Sequence, residues 1–414
     1  MEASHATCAS MDLKSGYPFW AVRNGLMHAF PRLEQDIRCD VAVIGAGITG
    51  ALVAHELASA GHEVVVLEQR DVAWGSTAAS TALLQYEIDE HLLDLCKRYG
   101  ERDAVAAYRA CDEGLDRVAA VAAEVGQVDF RTSASLYYAS RRRDVQVLQD
   151  ECALRARHGF AVEWLDAAHL KARFNLDALG AVRSERAARI DPYRMASRVL
   201  ARLRRGGAAI FDRTRVDAIE PVRGRVRLRC AQGVVDARHV VMAAGYACQQ
   251  YLPRGYARNR SSYAFVSDPM DADLLGELRQ TLVWESARPY LYLRTTGDDR
   301  LLVGGDDDKV DVPARRDRRV ESKVRSLCRR VAARMPHLPL VPVFAWGGTF
   351  AETRDGLPWF GVHPKWGPRV HFAMAYGGNG ITYSAIGAPL LRAGIEGRRH
   401  PLSALFGFGR KERM

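Results

Sequence analysis

Residues 40–70 constrain the fold of this chain more than any other stretch, because strand, turn, helix and strand patterns follow one another there. An apolar run at 41–44 predicts a buried strand. After it comes a turn that begins a helical pattern, Gly45-Ala46-Gly47-Ile48-Thr49-Gly50. The helical pattern ends at Gly61, which suits a helix C-terminus, and a second apolar run at Val64–Leu67 ends on Glu68. This order predicts a β-α-β unit with parallel strands.

Each part of this unit meets one requirement of a bound dinucleotide. Gly45 permits the tight turn, Gly47 lets the backbone approach a pyrophosphate, and Gly50 lets the helix pack closely on the strand. The N–H groups at the helix N-terminus suit the phosphates. Glu68 stands about 20 residues further on, where a carboxylate accepts hydrogen bonds from ribose hydroxyls and repels a 2′-phosphate. The unit predicts a dinucleotide site but does not distinguish FAD from NAD.

The chain has 414 residues, of which 48% are hydrophobic and 26% charged, so it can bury a large core. From its length we expect about two or three domains. The net charge of +10 comes mostly from arginine, with runs at 141–143 and 315–319 that contain no aromatic residue. Such runs favour a solvated surface over a nucleic-acid site, although weak contact with a membrane surface stays open. No apolar stretch reaches the roughly 18 residues of a membrane span.

Cysteines and acidic residues give no sign of a disulfide framework or a metal site. The eight cysteines are scattered and form no CxxC pair, which favours reduced thiols and a cytoplasmic location. Asp306-Asp307-Asp308 directly follows two glycines, and we interpret it as a solvated loop, because three adjacent residues cannot converge on one cation. No metal is therefore expected.

Periodicity along the rest of the chain alternates between two kinds of structure. Helices are predicted at 88–126, 143–158, 166–173, 194–205, 317–334 and 379–394. Strands are predicted at 136–139, 208–211, 214–220, 225–230, 239–245, 262–267, 281–284, 290–294, 300–303, 341–349 and 370–373. Parallel α/β segments and antiparallel segments interleave, which favours two discontinuous domains with a ligand site where they meet.

Four stretches together resemble one family. They are the 45–68 unit, Gly75-Ser76-Thr77, Val240-Val241-Met242-Ala243-Ala244-Gly245, and a C-terminal pair at 346–358 and 376–382. In this order they resemble the FAD-dependent amino acid and amine oxidoreductases of the D-amino acid oxidase superfamily, over about residues 36 to 396.

The resemblance implies an α/β fold with a Rossmann-like FAD-binding domain and a discontinuous α+β substrate domain built on an antiparallel sheet. We assign 36–95, 180–250 and 336–414 to the FAD-binding domain, and 96–179 and 251–335 to the substrate domain. Residues 1–35 are expected to form an N-terminal arm, anchored by Tyr17, Pro18, Phe19 and Trp20.

The resemblance also implies a set of FAD-binding residues. The glycine turn and Glu68 hold the ADP half, Ser76 and Thr77 lie near the pyrophosphate and the flavin, and a second helix N-terminus faces the flavin. Negative charge on a reduced flavin is stabilised by such a helix end. The predicted FAD ligands are Gly45, Ala46, Gly47, Ile48, Thr49, Gly50, Glu68, Gln69, Arg70, Gly75, Ser76, Thr77, Val216, Ala244, Gly245, Gly377, Gly378, Asn379, Gly380, Ile381 and Thr382.

Three positions depart from the family pattern. Phe350 and Gly378 stand where glycine oxidase-like members have arginines, the first of which clamps the substrate carboxylate. Leu302 stands, in our register, where sarcosine oxidases place a lysine over the flavin. Those enzymes also tether the flavin through a cysteine in the 346–349 region, which has none here. FAD is therefore predicted to be non-covalent, the enzyme to be an oxidase or a dehydrogenase, and the electron acceptor to be oxygen or a quinone.

The implied reaction is hydride transfer from the carbon that bears the nitrogen of an amine or amino acid to flavin N5, giving an imine that hydrolyses. The neutral amine reacts, so no protein base is required. Tyr86, Arg294 and Tyr376 are the predicted catalytic residues, and Gln85, Tyr263 and Tyr292 are further candidates for the substrate wall. Ordinary strand packing is the alternative for Tyr263 and Tyr292, and an exposed strand position is the alternative for Arg294.

Two other functions stay open at this point. One is a flavin-dependent hydroxy-acid or glycerol-phosphate-type dehydrogenase, and the other is a non-catalytic FAD-binding redox protein. Fold analogy does not choose between substrates.

Overall fold

A computed structural model describes residues 11–253 and 255–410, and the described chain folds around two sheets. Its strands are β1 Lys14–Gly16, β2 Ile37–Ile44, β3 Val64–Leu67, β4 Leu83–Gln85, β5 Arg131–Tyr138, β6 Val162–Asp166, β7 Gly180–Arg189, β8 Ala209–Phe211, β9 Val216–Val222, β10 Arg225–Cys230, β11 Gly233–Met242, β12 Arg258–Pro269, β13 Thr281–Glu285, β14 Leu291–Thr295, β15 Arg300–Asp308, β16 Pro342–Glu352, β17 Trp359–Val362 and β18 Val370–Met374.

The α-helices of the described residues lie mostly between these strands. They are α1 Phe19–Asn24, α2 Ile48–Ser59, α3 Ser76–Ala79, α4 Leu92–Tyr99, α5 Glu101–Val125, α6 Arg142–Arg157, α7 Ala167–Phe174, α8 Pro192–Arg205, α9 Ala272–Leu275, α10 Pro313–Ala332, α11 Gly380–Ile395 and α12 Ser403–Phe406. Three short 3₁₀ helices lie at Gly245–Tyr251, Gly276–Gln280 and Pro364–Trp366. None of the helices in the described ranges has the length and apolar character needed to cross a bilayer.

The smaller sheet is the nucleotide-binding one. Its order is β17-β18-β11-β2-β3-β8, and β18, β11, β2, β3 and β8 run parallel. An antiparallel extension, β9 and β10, pairs with β11. The end of β2 and all of β3 are buried, as their uninterrupted apolar sequences require of strands covered on both faces. This sheet confirms the predicted Rossmann-like unit.

Helix α2 is apolar around most of its circumference because it is enclosed by other elements. Ile48, Leu52, Val53 and Leu57 are buried, and the helix packs between α8 and α11. Its N-terminus therefore stays in place at the carboxyl end of β2, where ligands of open α/β sheets bind.

The larger sheet has ten strands in the order β1-β16-β12-β15-β14-β13-β5-β7-β4, with β6 on β7. Most of its pairs are antiparallel, and β13 pairs in parallel with β5. Helix α10 packs against one face of it. The α/β fold class is thus confirmed, with most of the antiparallel strands collected in a second sheet.

Several segments lie elsewhere than the sequence indicated. The strands β4, β7 and β16 fall in ranges assigned to the FAD-binding domain, yet they pair within the larger sheet. The N-terminal segment also enters this sheet, since β1 pairs with β16, while Phe19 and Trp20 are buried and Tyr17 is exposed. Partners so distant in sequence leave no mark in a local pattern.

Two local predictions need correction. The helix predicted over 88–126 is broken into α4 and α5 at Gly100, whose φ of +84° ends α4 while its N–H donates to the Cys96 carbonyl. The 306–308 segment is not a solvated loop: it ends β15, and Asp306 and Asp308 form ion pairs with α10.

Candidate functional site

A cleft of about 580 Å³ lies between the two sheets. One side is formed by the carboxyl ends of the parallel strands and the N-termini of α2 and α11. The other side is formed by the larger sheet, mainly β12, β14 and β16. Cavities of this size at the junction of two layers are typical ligand sites.

The glycine turn at the nucleotide end tolerates no side chain at two positions. Gly45 has φ of +108°, and a Cβ built there would lie 2.4 Å from the Ala243 carbonyl oxygen. A Cβ on Gly50 would lie 1.8 Å from the Gly45 carbonyl oxygen. Both contacts are with backbone, which cannot move aside without opening the turn. The turn and the start of α2 therefore have the close geometry that a pyrophosphate site needs.

Glu68 lies beside this turn and orients it. Its Oε2 accepts a hydrogen bond from the Ala46 N–H, and its Oε1 accepts one from the Arg70 N–H, both at 2.9 Å. Burial raises the pKa of the Glu68 carboxyl, and these two N–H groups oppose the rise. The carboxylate lines the cleft, so it can also accept hydrogen bonds from ribose hydroxyls of a bound nucleotide.

The start of α2 fits a phosphate group. Its N-cap is Gly47, which has no side chain to occupy the helix end, and a Cβ there would lie 3.0 Å from Thr77 Oγ1. Across from it, Ser76 Oγ is shielded from solvent and has no hydrogen-bond partner within the described ranges. The first N–H of α2, that of Ile48, donates to Thr77 Oγ1 at 2.9 Å. A buried hydroxyl without a partner next to a helix N-terminus is an arrangement that a phosphate oxygen can complete.

A second helix N-terminus borders the middle of the cleft. The residues 377–382 line it and lead into α11, which has 16 residues. The Gly378 N–H donates to Asp89 Oδ2 at 2.8 Å, and the Asn379 side chain donates to the Glu87 carbonyl instead of capping the helix. The dipole of α11 is therefore available to an anionic part of a ligand.

Aromatic side chains form the wall opposite these helices. Trp284, Tyr290 and Tyr292 line the cleft from the larger sheet, and the Tyr292 ring lies over Gly304, where a Cβ would come within 2.3 Å of it. On the other side the rings of Tyr246 and Tyr376 are 5.4 Å apart. Tyr376 also donates to the Gly245 carbonyl at 2.9 Å, so its hydroxyl holds the loop after β11 in place. Such a wall suits an apolar or cationic substrate.

Most of the residues predicted for FAD are brought together along this cleft. Those that line it are Gly45, Gly47, Ile48, Thr49, Glu68, Gln69, Arg70, Gly75, Ser76, Thr77, Val216, Ala244, Gly245, Gly377, Gly378, Asn379, Gly380, Ile381 and Thr382. Ala46 and Gly50 stand just behind the lining, within the turn itself. Of the wall candidates, Gln85, Tyr263, Tyr292 and Tyr376 line the cleft, and so does Phe350, which replaces an arginine of the family pattern.

Two predicted catalytic residues do not reach the cleft. Tyr86 is 1% exposed and stacks on Phe160, with ring centroids 5.2 Å apart, in a buried cluster. Arg294 is 2% exposed, and its guanidinium donates to the carbonyls of Thr81, Ile190 and Thr295. The interpretation of Arg294 as a substrate clamp or an exposed strand residue does not fit this position, because its donors are used on backbone.

Leu302 does not lie over the cleft either. It is fully buried in the core and pairs with Val266 and Arg294, so our register for the flavin-facing lysine does not match the fold. Among the described lining residues Lys309 is the lysine, and it is exposed at the mouth.

Sequence reasoning missed four charged residues at the mouth of the cleft. Arg288 is 3.2 Å from Glu352 and donates to the Asp89 carbonyl, and Asp307 lies nearby. The tyrosines at alternate positions 290 and 292 mark a strand with one face on a cavity, which is the signal that could have drawn attention to this edge. No comparable local signal distinguishes Asp307 from its two acidic neighbours.

The comparisons with known proteins agree with this geometry. A family model described as FAD dependent oxidoreductase matches residues 40–393. Gamma-glutamylputrescine oxidoreductase of Escherichia coli (strain K12) is 26% identical over 377 residues, covering 89% of this chain and 86% of that protein. Glycine oxidase of Bacillus licheniformis is 27% identical over 351 residues, covering 83% of this chain and 89% of that protein.

A solved structure shares the fold. The crystal structure of glycine oxidase from Geobacillus kaustophilus superposes with a TM-score of 0.76 at 20% identity, covering 90% of this chain and 99% of that one. A parallel sheet and a mostly antiparallel sheet, with a dinucleotide-binding cleft between them, are the architecture of a class of flavoenzymes. The chain belongs to the family of FAD-dependent oxidoreductases, and its cofactor is FAD.

Proposed function

We propose that this protein oxidises the C–N bond of an amine or amino acid, with FAD as its non-covalent cofactor. The observation that carries the proposal is the joining, in one cleft, of a complete dinucleotide turn with an aromatic wall from a second sheet. The names of the two relatives, one acting on glycine and one on a glutamylated diamine, support a nitrogen-bearing substrate.

The chain's own residues divide into three roles. The 45–50 turn, Glu68 and Ser76 hold the nucleotide and its phosphates. The α11 N-terminus places positive potential beside the flavin. The tyrosine wall orients the substrate and excludes water from it. Bound FAD supplies the hydride acceptor.

Three expectations belong to this proposal as predictions. The electron acceptor is oxygen or a quinone, the location is cytoplasmic, and the domains follow the discontinuous division given above except at β4, β7 and β16, which pair within the larger sheet. The described cysteines form no disulfide with one another, which is consistent with reduced thiols.

Anaerobic bleaching of the yellow protein tests the function. The purified holoprotein is mixed with single members of a panel of amines, amino acids, hydroxy acids and glycerol phosphate, and the flavin absorbance is followed. We expect an amine or amino acid to reduce the flavin, with dithionite as the control that shows full bleaching.

Two results would contradict the proposal. Bleaching by a hydroxy acid or glycerol phosphate alone would indicate the other dehydrogenase class. Flavin that only dithionite reduces would indicate a non-catalytic FAD-binding protein.

A further inference from the structure

The end of β15 directs one carboxylate into the cleft. Tyr263 pairs with Gly305 and Ser261 pairs with Asp308, so β15 has an extra residue opposite Ser262. Gly305 has φ of +125° and Asp306 has φ of +53°, the backbone of a β-bulge. After the bulge both Asp307 and Asp308 line the cleft, and the Asp308 carboxylate is already held in ion pairs with Arg319 and Lys323.

The neighbours of Asp307 serve a different purpose. Asp308 lies 3.1 Å from Lys323 and 2.6 Å from Arg319, and Asp306 lies 3.6 Å from Lys323. Both acids therefore attach β15 to α10. Asp307 forms no ion pair with any residue of the described ranges, and its Oδ1, shielded from solvent, accepts no hydrogen bond from them.

The surroundings of Asp307 favour a cation as its partner. The Ser262 hydroxyl stands 3.3 Å from the Tyr292 hydroxyl beside it, and Tyr290 and Tyr292 line the same cleft. Aromatic faces attract ammonium groups, and a shielded carboxylate is stabilised by a charged partner.

The two nearby arginines already have acidic and carbonyl partners within the protein. Arg260 contacts Glu352 and donates to the Lys309 carbonyl, and Arg288 also contacts Glu352 while lying over the Tyr290 ring. A substrate carboxylate would have to displace Glu352 from them, whereas an ammonium meets an unpaired acceptor at Asp307.

We infer that Asp307 is the specificity residue that binds the ammonium group of an aliphatic amine substrate. The inference rests on the proposed function and narrows its substrate class from amines or amino acids to amines that bind as ammonium ions and pass one proton to the Asp307 carboxylate before the neutral amine is oxidised. No carboxylate on the substrate is required for binding.

Three probes with the same tert-butyl group differ in charge. The tert-butylammonium ion is cationic, tert-butanol of nearly the same shape is neutral, and pivalate, with one more carbon, is anionic; tert-butylamine has no hydrogen on the carbon that bears nitrogen. It therefore binds without being oxidised. Binding is measured on the FAD-loaded protein from perturbation of the flavin spectrum and by calorimetry.

We expect the wild-type protein to bind tert-butylammonium at least ~10-fold tighter than tert-butanol, because a charge-assisted hydrogen bond adds at least that factor. Asp307→Asn should remove this preference, and so should Asp307→Ser if the first variant folds poorly. Asp306→Asn is the matched control, since it removes the same charge one residue away and asparagine tolerates a positive φ. It should keep the preference.

Two outcomes would overturn the inference. One is pivalate binding more tightly than tert-butylammonium, and the other is a cation preference that survives both Asp307 variants. These results do not depend on turnover. If amines bleach the flavin but both Asp307 variants keep the preference for the cation, the role of Asp307 is wrong and the proposed function stands. If the variants lose that preference but no amine bleaches the flavin, Asp307 binds cations and the proposed function is wrong.

Discussion

At the scale of single residues, Asp307 lines the cleft, and burial of its charged carboxylate lowers the stability of the fold. Burial raises its pKa to about 6, the Ser262 hydroxyl opposes the rise, and the charges of Asp89 and Glu352 add to it. Lys323 opposes it from α10. A carboxylate whose folded pKa lies above its unfolded value favours folding in its protonated form, so this contribution is lost as pH rises through about 6.

Asp307→Asn is therefore expected to raise stability at pH 8 and to leave it nearly unchanged at pH 4. Asparagine keeps the shape and removes the buried charge, which corresponds to a gain of about 1 kcal/mol per pKa unit removed. Thermal unfolding of the holoprotein from pH 4 to 8 measures the difference. Asp306→Asn loses ion pairs instead, and a stability gain of the same size in that variant would contradict the interpretation.

Arg294, unlike Asp307, does not line the cleft, and its role is to stabilise the fold. Its donors satisfy the carbonyls of Thr81, Ile190 and Thr295, so it fixes the loop before β4 to β14 and the end of β7. Arg294→Met should cost about 3 kcal/mol, because the carbonyls of Thr81 and Ile190 lose this donor, whereas the Thr295 carbonyl keeps Arg189. Chemical denaturation measures this cost.

The exposed strand residue Arg131 supplies the control for that variant. Arg131→Met should change stability by less than about 0.5 kcal/mol. A selective rise in KM of Arg294→Met for amino acids relative to amines would restore the substrate-clamp interpretation.

At the scale of elements, the sequence predicted the structure best at turns whose backbone geometry only one residue type can adopt. The turn between β2 and α2 needs glycine at 45 and 50 because any Cβ meets backbone, and that requirement is visible in the sequence. The pairing of β4, β7 and β16 with the larger sheet was not visible, because each strand finds partners far away in the chain. A local pattern identifies a strand but not the sheet that it joins.

Gly50→Ala tests the turn. An added Cβ 1.8 Å from the Gly45 carbonyl oxygen forces α2 away from the turn and spoils the phosphate end of the cleft. We expect the variant to be purified with less than about a tenth of the wild-type FAD, since a loss of 1.4 kcal/mol in binding already weakens affinity tenfold. The ratio of flavin to protein absorbance measures this.

Gly409→Ala is the matched control for that substitution. A Cβ at Gly409 meets nothing within 4 Å, so this variant should keep its flavin. Full FAD content in Gly50→Ala would show that the close packing at this turn is not needed for the cofactor.

At the scale of the whole molecule, the cleft is assembled from segments more than 300 residues apart, such as Gly45 and Gly377. The side of the cleft that binds the cofactor could be predicted, because the geometry of glycine turns and helix N-termini is determined by their local sequence. Its substrate side could not, because the bulge at Gly305 and Asp306 and the ion pairs of Asp306 and Asp308 with α10 decide which of three adjacent acids is left, among the described residues, without an ion pair at the cleft. Function here depends on backbone irregularities that become visible only in the folded chain.

The same assembly makes FAD a structural partner of both layers. Residues from Leu13 to Thr382 line the cleft, so the cofactor binds the folded chain and not the unfolded one. No described cysteine or histidine is among the lining residues, and we expect the flavin to be held without a covalent bond. A ligand present at 100 times its Kd then stabilises the fold by about 2.7 kcal/mol.

Acid precipitation followed by reconstitution measures both expectations. The precipitated protein should be colourless and the supernatant yellow. The absorbance of the supernatant should account for all the flavin that the holoprotein contained. The apoprotein, stripped of FAD under mild conditions, should unfold at a lower temperature, and its Tm should rise with added FAD and not with riboflavin, which lacks the ADP half that the 45–50 turn and Glu68 bind. Flavin that stays with the precipitate would show a covalent link, and a Tm that riboflavin raises equally would show that the nucleotide end of the cleft contributes little to binding.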